Sequence, residues 1–304
     1  MTVAVDDVGP AVAAVPPSVA RGRSARRLRR WKEAGALGIA VLVLIWTLVP
    51  VYNIFMVSLE SKGDVFTETI WPARPSLDSF WIVITQGYWY LEEFWHQFAN
   101  SVYIGVGTVF FTLAIGSLAS FAIGRMRIRY GWLLSNAALL TYVIPASFLA
   151  IPFYRIMQIY GLTNNLWSVI AAEVTFATPY AIFIFQQYGT SIPIELDEAA
   201  RIDGASPFQV YWKIYLPLMA PALVAVGTYA LLLAWNEYLY QFLLLSSKHS
   251  MSVPVALAQF LNSDEAPWNY MMATAIVYAI PPVAIYYVFR RRMSAGLTMG
   301  GVKG

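Results

Sequence analysis

Several polar side chains interrupt the apolar runs of this chain and could contact a substrate. They are Glu173, Tyr180, Asn236, Glu237, Tyr238 and Gln241, the last four within or just after WNEY. Polar groups inside apolar helices are costly in lipid, so they are candidates for function. Hydroxyl, amide and carboxyl groups beside Trp235 suit a sugar, whose hydroxyls need donors and acceptors and whose C–H face packs on an aromatic ring. The alternative is that these groups bond to one another between helices.

Other constellations that could support catalysis are sparse. His96 follows Glu92 and Glu93, and a metal site there is an alternative to an ordinary solvated interfacial face. The chain has no cysteine and no phosphate-binding GxxxxGK[ST] segment. We therefore expect a non-enzymatic chain that binds no metal or cofactor itself, with any ATP and Mg²⁺ held by another polypeptide.

The composition predicts a membrane protein. Hydrophobic residues make up 59% of the 304 positions and charged residues only 12%, too few to cover a water-soluble surface. Six apolar runs are long enough to cross a bilayer as helices. They are Ala34–Val57, Ala99–Ile123, Trp132–Tyr154, Leu166–Tyr188, Pro221–Leu245 and Met271–Phe289. Backbone groups in lipid must bond internally, so we predict an all-α fold with six transmembrane helices.

The basic residues predict the orientation of these spans. With the N-terminus inside, sixteen of the 20 Lys and Arg residues fall on the cytoplasmic side, which predicts that both termini are cytoplasmic. The basic cluster at residues 21–32 is then a membrane anchor and not a nucleic-acid site. Residues 1–30 are predicted to be a disordered basic tail, and 31–304 a single transmembrane domain with a cytoplasmic loop at 189–220.

That loop contains DEAARIDGASPFQVYWKIYLP, residues 197–217, a polar segment between two apolar runs. Acids near Pro193 favour a helix start, and Gly204 can end the helix in the left-handed conformation. Ser206 and Pro207 predict a cap and the start of a second short helix. Small and charged residues on the first helix are typical of a docking helix, although a helix lying on lipid headgroups remains the alternative.

The same segment resembles the EAA loop of permease subunits of ATP-binding-cassette importers. The residues that match are Glu198, Ala199, Ala200, Gly204, Ile214, Leu216 and Pro217. WNEY at 235–238, IPFYRIMQIYGLTNN at 151–165 and GLTMGGVKG at 296–304 resemble the second permease of maltose-type carbohydrate importers. The resemblance covers roughly residues 30–304, and Glu173 belongs to none of its motifs.

The resemblance implies a type I importer permease in a bacterial inner membrane. Its partners would be a second homologous permease, two ATPase subunits, an extracytoplasmic solute-binding protein and a sugar. A coupling helix would dock in the ATPase through Glu198, Ala199, Ala200, Arg201, Asp203 and Gly204. Two alternatives stay open, an ion-coupled secondary transporter that uses Glu173 and Glu237, and a membrane enzyme that uses His96. The sequence does not specify the sugar.

Overall fold

The structure is a computed structural model that describes residues 19–61, 63, 70–126, 128–262 and 266–298. All regular elements in these ranges are helices. Residues 1–18 of the predicted disordered tail lie outside the described residues. Residues 19–30, which the same prediction assigns to the tail, are instead the first turns of a helix.

Thirteen α-helices account for most of the described chain. They are α1 (Val19–Ser58), α2 (Asp78–Thr85), α3 (Phe94–Arg125), α4 (Gly131–Leu140), α5 (Ala146–Ile159), α6 (Leu166–Gly189), α7 (Glu195–Ile202), α8 (Pro207–Val210), α9 (Leu216–Leu218), α10 (Ala220–Asn236), α11 (Leu239–Leu244), α12 (Val253–Gln259) and α13 (Trp268–Thr298). A 3₁₀ turn at Thr141–Val143 follows α4, another at Phe260–Asn262 follows α12, and a π-helical turn at Tyr211–Tyr215 joins α8 to α9.

Six apolar segments satisfy the length and composition of a membrane span if each bent pair is taken as one span. Four are single helices: Arg30–Ser58, Phe94–Arg125, Leu166–Gly189 and Trp268–Arg290. The other two are pairs, Gly131–Val143 with Ala146–Ile159 and Pro207–Leu218 with Ala220–Asn236, bent by 100° and 77°. The predicted all-α architecture is confirmed, and each of the six predicted spans overlaps one of these segments.

Two of the predicted spans are not continuous helices. The third bends at Ile144–Pro145 because a residue before proline is restricted to extended backbone, and Ile144 has φ −90° and ψ 117°. The fifth, predicted as Pro221–Leu245, is interrupted after α10, where Glu237 has φ −72° and ψ 133°. Pro152, in contrast to Pro145, lies inside a helix, α5.

The chain divides into two units, Met1–Asn53 and Ile54–Gly304. The described part of the first unit is most of α1, whose side chains from residue 30 to 53 are exposed and largely apolar. Such a surface suits contact with lipid or with other apolar helices.

In the second unit, α3 is the central helix and packs along α6 and α10, and α10 also packs along α13. A Cβ atom added at Gly107 would lie 2.7 Å from Ile170 Cδ1, and one added at Gly116 would lie 2.8 Å from Ala181 Cβ. The glycines therefore let α3 and α6 approach more closely than alanine would allow.

Candidate functional site

The segment at 195–204 is a short helix followed by a tight turn, as the sequence predicts. Three acids occupy the first turn of α7, where the positive end of the helix dipole favours them: Glu195, Asp197 and Glu198. The chain then turns at Gly204, which has φ +86°. No atom lies within 4 Å of the position that a Cβ would take there, so the backbone conformation and not space requires glycine.

A capping box starts the second helix of the loop. The Gln209 backbone N–H donates to Ser206 Oγ at 3.3 Å, and the Ser206 backbone N–H donates to Gln209 Oε1 at 2.7 Å. Pro207 occupies the first helical position, where its missing N–H costs nothing. The helix continues through the π-helical turn into α9, and Met219 separates it from α10.

A buried arginine of α3 holds the base of this loop. Arg125 Nη1 lies 3.3 Å from Asp197 Oδ2, an ion-pair contact without hydrogen-bond geometry, and the two side chains are 6% and 2% exposed. Arg125 Nη2 also donates to the backbone carbonyls of Gly189 at 3.0 Å and Ile192 at 2.8 Å. One guanidinium group thus joins the end of α3 to the residues before α7 and to α7 itself.

Two tyrosines extend this attachment along α3. The Tyr211 hydroxyl lies 2.8 Å from Ser117 Oγ, and the Tyr215 hydroxyl lies 3.1 Å from Ser120 Oγ. Both rings also pack edge-on against Phe121, with centroids 5.3 and 5.1 Å apart. Motion of the second helix of the loop would therefore be transmitted to α3 through packed rings and hydrogen bonds.

The opposite face of the loop is exposed. Five of the six predicted docking residues are exposed, whereas Ala200 is half-buried: the exposed ones are Glu198, Ala199, Arg201, Asp203 and Gly204. Large apolar side chains accompany them, with Ile202 86%, Phe208 67% and Trp212 59% exposed. An outer face of this kind can bind a protein, because it combines apolar area with charges that set the register.

The substrate-path candidates do not form one cluster. Glu173 and Glu237 line the same cavity, of about 430 Å³. Tyr180 packs against Tyr229, another residue of the cavity wall, with ring centroids 4.3 Å apart. The predicted group around WNEY therefore contributes one of its members, Glu237, to this cavity.

The other three candidates lie elsewhere. The Asn236 amide donates to Leu232 O at 2.8 Å within its own helix. Tyr238 is exposed and stacks on Phe242. Gln241 is buried, donates to Ala234 O at 3.0 Å and accepts a hydrogen bond from Ser252. Because the helix breaks after Asn236, these residues do not continue one helical face.

The two histidines meet at the start of α3. The rings of His96 and His249 stack with centroids 3.6 Å apart, and His249 Nδ1 lies 3.6 Å from Glu93 Oε2. Glu92 pairs with Lys248 at 2.7 Å. Within the described residues, no three His, Asp or Glu side chains have an arrangement that could hold a metal ion.

Sequence reasoning missed Arg125, Asp197 and the two tyrosines as members of the loop's attachment. Arg125 contributed only to the count of cytoplasmic charges, and Asp197 only to the acids of a helix start. Arg125 and Asp197 are 72 positions apart in the chain, so no local pattern could have paired them.

Comparisons with known proteins agree with this architecture. Residues 113–298 match the family described as "Binding-protein-dependent transport system inner membrane component". The chain is 33% identical to the trehalose transport system permease protein SugB of Mycobacterium tuberculosis over 92% of this chain and 99% of that protein. It is 30% identical to the arabinooligosaccharides transport system permease protein AraQ of Halalkalibacterium halodurans over 88% of this chain and 95% of that protein. A solved bacterial ABC transporter involved in the import of alginate has a chain of the same fold, with a TM-score of 0.74 and 23% identity. The match covers 88% of this chain and 97% of that chain.

Proposed function

This chain belongs to the family of binding-protein-dependent transport system inner membrane components, and from this premise we propose that it serves the import of a sugar. It is a multi-pass, non-catalytic permease subunit of an ATP-driven importer in the inner membrane. The ion-coupled carrier has no support, because the energy source of this family is a separate ATPase. The named substrates of the relatives, trehalose and arabinooligosaccharides, support a saccharide or a related polyol here.

The observation that carries the coupling role is the two-sided loop at 189–220. Its inner side is fixed to α3 by a buried ion pair, and its outer side exposes Glu198, Ala199 and neighbouring apolar residues. A loop that lay only on lipid headgroups would not need a buried arginine to hold it against a transmembrane helix. We therefore assign α7 and its turn as the site where a separate ATPase subunit docks, and ATP and Mg²⁺ as ligands of that subunit.

The mechanism follows from how the loop is attached. Closure of two ATPase subunits displaces α7, and Arg125 together with Tyr211 and Tyr215 passes the displacement to α3. Because α3 packs closely on α6 and α10, the bundle moves as a rigid group and not as independent helices. Access to the translocation path then alternates between the two sides of the membrane. A second, homologous permease completes the path, and a solute-binding protein delivers the sugar from outside.

Reconstitution of this chain with its partners tests the proposal, and Gly204→Val tests the docking turn. We expect sugar uptake that requires ATP, the ATPase and the binding protein, and no uptake by the isolated chain. A β-branched residue at φ +86° costs about 1–2 kcal/mol or more, so Gly204→Val should displace the turn and lower the sugar transported per ATP hydrolysed severalfold.

Two variants control for the strain. Gly204→Asn should retain most of the coupling, because asparagine tolerates the left-handed region. Gly161 also has a positive φ, +67°, and open space around it, so Gly161→Val introduces the same strain outside the loop and should leave coupling intact. Full coupling in Gly204→Val would contradict the docking role, and uptake by the isolated chain would contradict the function itself.

A further inference from the structure

The cavity that contains Glu173 lies where two of the apolar spans are broken. Part of its lining comes from the bend at Ile144–Pro145, and another part comes from Glu237 and Leu239, where the predicted fifth span is interrupted. The continuous helix α6 contributes Glu173 and Phe176 to the same lining. Non-helical backbone at membrane depth is tolerated where it lines a cavity, and discontinuous helices are typical of solute sites in transporters.

Glu173 is an unsatisfied buried acid in this cavity. Its side chain lines the cavity although the residue is only 1% exposed, and Oε1 has no hydrogen-bond partner among the described residues. A buried carboxyl oxygen without a partner loses hydrogen-bond energy, so such a group in a native fold needs an explanation. A ligand with hydrogen-bond donors would provide one.

Glu237 faces the same space but is satisfied by the backbone. Its two carboxylate oxygens accept the N–H groups of Tyr240 at 2.9 Å and Gln241 at 3.1 Å. These amide donors stabilise a negative charge at the cavity wall. The described lining contains two acids and no lysine, arginine or histidine, so it disfavours an anionic ligand.

The remaining wall suits a sugar ring. Tyr142, Tyr229 and Tyr240 line the cavity, and the Tyr142 and Tyr240 hydroxyls donate to the backbone carbonyls of Phe176 and Ala146, both at 2.7 Å. These bonds fix two rings at the cavity wall and leave oxygen lone pairs on both hydroxyls. Aromatic faces beside acceptors match a ring that has C–H patches and hydroxyl donors.

We propose that this cavity binds one uncharged unit of the transported sugar, with Glu173 accepting hydrogen bonds from its hydroxyl groups and the Glu237 carboxylate, in a lining without basic residues, excluding uronates. The inference rests on the proposed sugar import and adds that this permease itself contacts the sugar. Because the site lies within this chain, its selectivity acts after delivery by the binding protein.

Cysteine protection in the assembled complex tests the site. The chain has no cysteine, so Thr175→Cys on the cavity wall gives this subunit a single thiol. The three neutral sugars to be tried are trehalose, arabinotriose and diacetylchitobiose. At millimolar concentration, the one that the complex imports should slow alkylation of the thiol in Thr175→Cys by N-ethylmaleimide severalfold. Glucuronate should have no effect on this rate. Thr190→Cys is the matched control, since both threonine hydroxyls bond a backbone carbonyl of α6 at 2.7 Å but Thr190 lies outside this cavity.

Variants of Glu173 in the Thr175→Cys background separate binding from folding. Glu173→Leu removes the acceptor and should weaken protection by the sugar about tenfold or more. Glu173→Gln retains an acceptor oxygen and should keep most of the protection, which also shows that the complex assembles with a variant at this position. ATP-dependent uptake is measured in parallel. If the complex imports sugar but none of the three neutral sugars protects the thiol, or if glucuronate protects it equally, the site is wrong while the proposed function stands.

Discussion

The buried ion pair between Arg125 and Asp197 gives the sharpest test of how force reaches the bundle. Replacing Asp197 with alanine leaves a guanidinium group that is 6% exposed without its charge partner. Removing one member of a buried pair destabilises a protein by about 3–5 kcal/mol. Arg125 keeps its bonds to the carbonyls of Gly189 and Ile192, so we expect the lower end, about 3 kcal/mol. This equals a decrease of roughly a hundredfold in the ratio of attached to detached α7.

Hydrogen exchange on the assembled complex measures this change directly. The amides of α7 should exchange faster in Asp197→Ala by up to this factor, whereas those of α6 and α10 should change little. In the same preparation, ATP hydrolysis should lose its dependence on the loaded binding protein, and sugar uptake should fall. The two readouts together distinguish a detached loop from a generally destabilised bundle.

Two further variants control for other effects of the substitution. Glu195→Gln removes one negative charge from the same helical turn, but Glu195 is exposed, so this variant should exchange like the native protein. The double variant Arg125→Met with Asp197→Leu removes both charges and should recover part of the loss. Native exchange in α7 of Asp197→Ala would refute the assignment of the ion pair as the attachment of the loop.

Two other predictions concern packing and orientation. Gly116→Val should destabilise the protein by about 1–3 kcal/mol, because the new Cβ would lie 2.8 Å from Ala181 Cβ. Gly124→Val is the control in thermal unfolding, since Gly124 lies in the same helix with open space around it. An equal loss of stability in both variants would indicate helix propensity and not packing. Single cysteines at Asp203 and Lys248 should react with a membrane-impermeant maleimide from the cytoplasmic and external sides respectively, as the distribution of basic residues predicts, and the reverse labelling would overturn the orientation.

Local patterns in the sequence predicted the elements of the loop well. Three features of the loop depend only on residues close together in the chain: acids at a helix start, glycine at a left-handed turn and the Ser206–Pro207 cap. Each appears in the structure at the predicted position. Apolar runs likewise located all six spans. The long fifth span was wrong as a continuous helix, because the apolar character of LLLAWNEYLYQFLLL does not reveal that the Glu237 carboxylate caps a new helix.

The candidate substrate path shows the limit of this reasoning. Asn236, Glu237 and Tyr238 are adjacent in WNEY and were all candidates for substrate contact. The helix break after Asn236 places Glu237 in the cavity wall and leaves Asn236 and Tyr238 outside the lining. Glu173 lies 64 positions from Glu237, and only the folding of α6 against the two broken spans brings both acids to the same cavity.

The sequence by itself determined the membrane character, the six apolar segments and the form of the loop, because these depend on hydrophobicity and on backbone preferences within a few residues. Tertiary structure alone decided that Arg125 pairs with Asp197, that two spans break beside one cavity, and that Glu173 Oε1 has no hydrogen-bond partner among the described residues. Those features depend on contacts between helices that are distant in the chain, where close packing and the cost of burying charge select the partners.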